Sequence, residues 1–183
     1  IRRMDCGITG KYGKSYGSRI KIKINMKKII YILFICSLCN ALQLNAEEIP
    51  YLLTASAKGD IETVKAIIES GGNPNTEDKD KISALMYASR KNKVEIVEYL
   101  ISKGAEINKV ENDGWTALMF AAKKNYTATV KTLLNNNANP KITDPDGWSA
   151  YGLAATSGHY ETIDLLLKDG IDPNSRNNSG LTI

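Results

Sequence analysis

The sequence predicts an all-α repeat solenoid. Stacked helix-turn-helix units alternate with short β-hairpin loops, and an N-terminal leader lies outside the fold. Three observations carry this expectation. The stretch Asp113-Gly114-Trp115-Thr116-Ala117-Leu118-Met119-Phe120-Ala121-Ala122 returns 33 residues later as Asp146-Gly147-Trp148-Ser149-Ala150-Tyr151-Gly152-Leu153-Ala154-Ala155. A weaker copy, Asp80-Lys81-Ile82-Ser83-Ala84-Leu85-Met86-Tyr87-Ala88-Ser89, stands 33 residues before it. Four columns step at the same interval: Ala55, Ala88, Ala121, Ala154; Val64, Val97, Val130, Ile163; Ile67, Leu100, Leu133, Leu166; and Asn75, Asn108, Lys141, Asn174. A fixed period of this length marks a stack of similar units, each too small to bury its apolar face alone.

Charge and thiols are divided along the chain. Residues 1–46 hold nine Lys/Arg against one acid (Asp5), a net of +8, whereas residues 47–183 hold 15 against 19, a net of −4. The part expected to fold is therefore mildly acidic, which disfavours a polyanion such as nucleic acid as its partner. All three cysteines (Cys6, Cys36, Cys39) precede residue 47, so the repeats have neither a disulfide nor a thiolate for metal.

Residues 1–25 are basic and Gly-rich, lack an apolar period, and read as disordered or as a non-native upstream extension. Gly13-Lys14-Ser15 has the tail of a phosphate-binding loop, but Ile8 stands where that motif needs its first Gly. Residues 26–46 read as a signal peptide. Met26-Lys27-Lys28 is a positive start, Ile29 to Cys39 is an apolar core, and Ala46 precedes the acids Glu47-Glu48. The expected cut follows Ala46. The apolar run of 11 residues falls short of the ~20 that a spanning helix needs. A cleaved signal, with export to a periplasmic or secreted location, is thus preferred. An uncleaved membrane anchor is the alternative; a lipid-modified Cys36 or Cys39 is disfavoured because Ile35 and Leu38 precede them.

Residues 47–183 divide into units at about 47–77, 78–110, 111–143 and 144–176, with a partial unit at 177–183. In the third, Thr116 is expected to cap a first helix running to about Lys123, with a second from about Thr127 to Asn135. Ser83 and Ser149 cap the equivalent helices. Ala117, Ala121 and Ala122 let neighbouring helices approach closely. Gly71, Gly104, Asn137 and Gly170 are expected to end the second helices with positive φ. The hairpins turn at Asp-Gly or a similar pair. Glu47, Glu48, Lys58 and Asp60 suit the first unit to a polar capping role. Because Asn178-Ser179-Gly180-Leu181-Thr182-Ile183 opens another unit, the natural chain is expected to continue.

These residues resemble the ankyrin repeat family. The resemblance rests on Asp-Gly-x-Thr-Ala-Leu-x-x-Ala-Ala at Asp113–Ala122, then Val130-x-x-Leu133-Leu134, with Gly158-His159-Tyr160-Glu161 and Leu165-Leu166-Leu167-Lys168-Asp169-Gly170 as a second-helix signature. The family's Pro at the first helical position is Ala84, Ala117 and Ala150 here, and its His two residues on is Met86, Met119 and Gly152. Losing that His implies looser hairpins. The resemblance implies a protein-binding module whose hairpin tips and first helices line a concave face, with no enzyme activity and no cofactor.

Within that frame, Trp115 and Trp148 share a repeat position that the family turns toward the concave face. They are either partner contacts or packing along the hairpin stem. Arg90-Lys91 and Lys123-Lys124 share the end of the first helix, forming a basic strip for an acidic partner or a solvated, dipole-matched helix end. His159 is the only histidine, so neither metal nor triad chemistry is arguable. Asp144-Pro145-Asp146-Gly147 lacks the later oxygen ligands of a calcium loop. Asn125-Tyr126-Thr127 and Asn177-Asn178-Ser179 fit a glycosylation pattern. No catalytic, cofactor or metal site is expected. The expected partner is a protein, acidic or of mixed charge, bound by a monomer, with membrane contact only if residues 26–46 stay uncleaved. Two alternatives are a non-catalytic repeat portion of a longer enzyme or effector, and a membrane-tethered structural or inhibitor subunit.

Overall fold

A computed structural model describes residues 50–180. The readings of residues 1–25 and 26–46, the cut after Ala46 and the end of the partial unit lie outside the described residues. Among the described residues eight helices follow in order: α1 Tyr51–Lys58, α2 Ile61–Glu69, α3 Ala84–Arg90, α4 Val94–Ser102, α5 Ala117–Lys123, α6 Thr127–Asn135, α7 Ala150–Thr156 and α8 Tyr160–Lys168. They form two rows. The first helices α1, α3, α5 and α7 pack in succession, and so do the second helices α2, α4, α6 and α8, while each unit's pair also packs together. This is the arrangement the 33-residue period predicts.

Local chemistry fixes the helix starts. Ser83, Thr116 and Ser149 sit in extended backbone, and their hydroxyls accept from Met86 N (3.3 Å), Met119 N (3.2 Å) and Gly152 N (3.2 Å). Each satisfies one N–H that the first turn leaves free. Asp60 does the same for α2 through Thr63 N and Thr63 Oγ1. The ends obey one rule in both rows. Gly71, Gly104, Asn137 and Gly170 close α2, α4, α6 and α8 at φ between +66° and +96°. The first helices stop likewise at Gly59, Asn92, Asn125 and Gly158.

The hairpins are tighter in chemistry than in ladder. Two pair through single antiparallel bridges, Glu77 with Ser83 and Thr143 with Ser149, and among the described residues no strand forms. Each turn is wrapped instead round one acceptor side chain. Asp78 accepts from Asp80 N and Ile82 N, and Asp144 from Asp146 N and Trp148 N. Glu111, 7% exposed, takes the same place with both oxygens, accepting from Asp113 N and Trp115 N. Where the family's His is missing, Ser83 N donates to Met86 Sδ at 3.4 Å and the Tyr87 hydroxyl donates to Asp78 at 2.8 Å. The second unit's hairpin is therefore tied to its first helix by other bonds than the one the family's His would make.

Burial, then the hydrogen bond to Asp78, holds the Tyr87 hydroxyl above its ordinary value. The folded chain thus keeps that proton more tightly than the unfolded one. The resulting stability is complete below pH ~10 and disappears as pH rises through the folded value. An ultraviolet phenolate titration of wild type minus Tyr87→Phe is expected to show this tyrosine ionising later than a free one. Ionisation at or below the ordinary value contradicts the bond.

The core is one continuous cluster. The Ala column sits in equivalent surroundings, with Ala88, Ala121 and Ala154 at 0% exposure and Ala55 at 5%. Val64, Val97 and Val130, and Leu100, Leu133 and Leu166, are likewise fully buried. Ile67 and Ile163, at the two ends of these columns, pack against the cluster but are only partly buried.

The Asn column proves to be a cross-unit clasp. Asn75 donates to Gly104 O and accepts from Glu106 N; Asn108 donates to Asn137 O and accepts from Asn139 N. A second clasp joins hairpin tips, Asn112 to Lys79 O and Asp80 O, and Asn178 to Pro145 O and Asp146 O. Both clasps are missing between the third and fourth units. Lys141 occupies the Asn place and has no acceptor, and Pro145 occupies the tip place and has no N–H. A cavity of about 200 Å3, lined in part by Lys141, Ile171 and Asp172, opens there.

Candidate protein-interaction surface

The loop that follows each first helix and the hairpin that opens each unit place the predicted contact residues. Arg90 ends α3 and Lys91 is its C-cap; Lys123 ends α5 and Lys124 is its C-cap. Cations suit the carbonyl end of a helix, so the helix ends account for where these charges sit. No carboxylate among the described residues forms an ion pair with them. Lys91, Lys123 and Lys124 are exposed. Arg90 is half-buried, its guanidinium carbon 5.6 Å from the Tyr87 ring centre and 6.0 Å from that of Phe120. Contacts of that kind hold a guanidinium in place while leaving its N–H groups for another acceptor.

Trp115 follows the turn of the third unit's hairpin and is half-buried, its ring centre 5.1 Å from that of Phe120 at 49°. Packing along the stem and presentation at the surface therefore occur together, in Trp115 and in the equivalent half-buried Trp148. Trp115, Arg90, Lys91, Lys123 and Lys124 are brought together in one cleft of about 490 Å3, completed by Phe120 and Tyr126. Trp148 is not part of it. It lines a second cleft of about 480 Å3 with Trp115, Asn112, Asp113, Asp144, Pro145, Asp146 and Leu153.

Sequence reasoning missed the aromatic and acidic partners in these clefts. Phe120 shares a column with Tyr87 and Leu153, and Tyr126 with Lys93 and His159. The same period that aligned the tryptophans would have placed them beside the lysines. The acidic character of the second cleft was hidden in Asp113, Asp144 and Asp146, which the sequence presents as turn formers and, for the last two, as an incomplete calcium loop.

The remaining candidates are taken up by the fold. His159 Nε2 lies 3.1 Å from Lys123 O, which a carbonyl permits only if that nitrogen carries the proton. Asn125 Oδ1 accepts from Thr162 Oγ1 at 2.8 Å. Asn177, 6% exposed, accepts from Ser179 N. Both glycosylation-pattern asparagines are thus engaged. Among the described residues, no group of three or more His, Cys, Asp or Glu is placed to hold a metal ion.

A family model described as "Ankyrin repeats (3 copies)" matches residues 23–111, 52–144 and 105–177, overlapping spans that cover most of the chain. The search among curated proteins returned no match. With the period, the paired helices and the clasped hairpins in place, the chain belongs to the ankyrin repeat family, whose repeats are generally protein-interaction modules and typically non-catalytic.

Proposed function

We propose that this chain is an exported, monomeric ankyrin-repeat protein that holds a protein partner on the concave surface formed by its hairpin tips and first helices. The observation that carries this reading is the pair of half-buried tryptophans opening onto adjacent clefts, with four cations at one of them that form no ion pair among the described residues. Aromatic side chains part-sunk in a surface lose little freedom on binding and are enriched in binding hot spots. The cations at the first-helix ends raise the association rate toward an acidic surface rather than supplying the bulk of the affinity. Export rests on the Met26–Ala46 pattern of basic start, apolar core and small residue before acids. Retention of that segment would give a tethered form instead.

The test is affinity capture of a partner from the source cell envelope, followed by binding of that partner to Trp115→Ala/Trp148→Ala. Two hot-spot aromatics lost together are expected to weaken binding by about 30-fold or more. Binding equal to wild type, by a double variant with unchanged circular dichroism, sinks recognition through these tryptophans.

A further inference from the structure

The two clefts differ in sign. On one side of Trp115 stand Arg90, Lys91, Lys123 and Lys124; on the other stand Asp113, Asp144 and Asp146. Trp115 lines both, so it is a shared wall between a basic trough and an acidic one. The charges on each side are free to act outward. Lys91, Lys123, Lys124, Asp113 and Asp146 are exposed, and no ion pair joins them to one another or to other described residues. Asp144 is occupied by its own turn, accepting from Asp146 N and Trp148 N, and so contributes field rather than a free acceptor. The apolar floor is also divided: Phe120 and Tyr126 belong to the basic cleft, Trp148 and Leu153 to the acidic one.

A uniformly acidic partner gains at the first cleft and is repelled at the second. We infer that the partner segment is dipolar: an extended peptide with a large apolar or aromatic residue seated against Trp115, acidic residues to one side of it and basic residues to the other. This inference rests on the concave-face reading above and specifies the chemistry of its occupant. Charge arranged in this way discriminates by orientation, because a segment laid in the reverse direction places like charges together at both ends. The arrangement selects a polarity of chain as well as a composition.

The test is selection of binders from a random dodecamer peptide library displayed on phage, using the full chain as bait. Enriched sequences are expected to carry an aromatic or large apolar residue with acids on one side and bases on the other, in a constant order. A synthetic peptide of that sequence is expected to bind at least tenfold more tightly than the same peptide with its charged ends exchanged. Lys123→Glu/Lys124→Glu, at two exposed positions, is expected to abolish that preference. Enriched sequences that are uniformly acidic yet depend on Trp115 overturn the dipolar inference and leave the concave-face reading standing. Binders indifferent to Trp115→Ala and Trp148→Ala, or no enrichment at all, overturn both.

Discussion

Leu133→Ala is expected to lower the unfolding free energy by about 2–5 kcal/mol, the range for emptying a fully buried leucine site. Leu133 is 0% exposed and lies in α6, which packs on α5 within its unit and on α4 and α8 of the neighbouring units. The helix that carries Leu133 is thus held by three others, which limits how far the site can collapse to fill the space. In a linear stack, stability is the sum of unit terms and nearest-neighbour terms, so the loss spreads to both sides. Urea denaturation followed by circular dichroism measures the total. Native-state hydrogen exchange is expected to show amides of α4 and α8 losing protection with those of α6. A loss within about 0.5 kcal/mol, as for an ordinary surface substitution, contradicts the stacked core.

The second large effect comes from adding bulk. Ala121→Leu is expected to destabilise by about 1–3 kcal/mol or more through overpacking. Ala121 is 0% exposed on α5, between α3 and α7, at the column where every unit carries alanine. An isobutyl group there has to push one of the two neighbouring first helices away. Ala128→Leu puts the same bulk on α6 at an exposed site and is the control; it is expected to stay within about 0.5 kcal/mol of wild type. Equal denaturation midpoints for the two variants would show that the first-helix row is not close-packed. Because Phe120 and Lys123 sit on the same helix, Ala121→Leu is also expected to disturb the basic cleft more than Ala128→Leu does.

The fold was legible because its signals are local and repeated. Thr116, a hydroxyl before an apolar helical run, marks the start of α5, and Asn137 marks the stop after α6 as surely as a glycine would. The expected spans of α5 and α6 and the observed ones agree to the residue at their ends, Lys123, Thr127 and Asn135. What the sequence withheld lies between units. Asn75 and Asn108 stood out as a polar column, but their purpose depends on carbonyls and amides some thirty residues away, Gly104 O and Glu106 N for the first. The acidic cleft likewise exists only because the fourth hairpin settles beside Trp115. Asn92 and Asn125 gave no hint that they close first helices with positive φ, since each falls in a polar run where several residues could have made the turn.

The junction where Lys141 and Pro145 replace both clasping asparagines keeps its outer bonds, Thr162 to Asn125 and His159 to Lys123, together with the packing of α5 on α7. A column stitched along one margin only gives way along the other. Heat or a pulling load is expected to open this junction, between the third and fourth helix pairs, before the doubly clasped one between the second and third. Trp148 stands on one side of that junction and Trp115 on the other, so its opening parts the two aromatic walls of the acidic cleft.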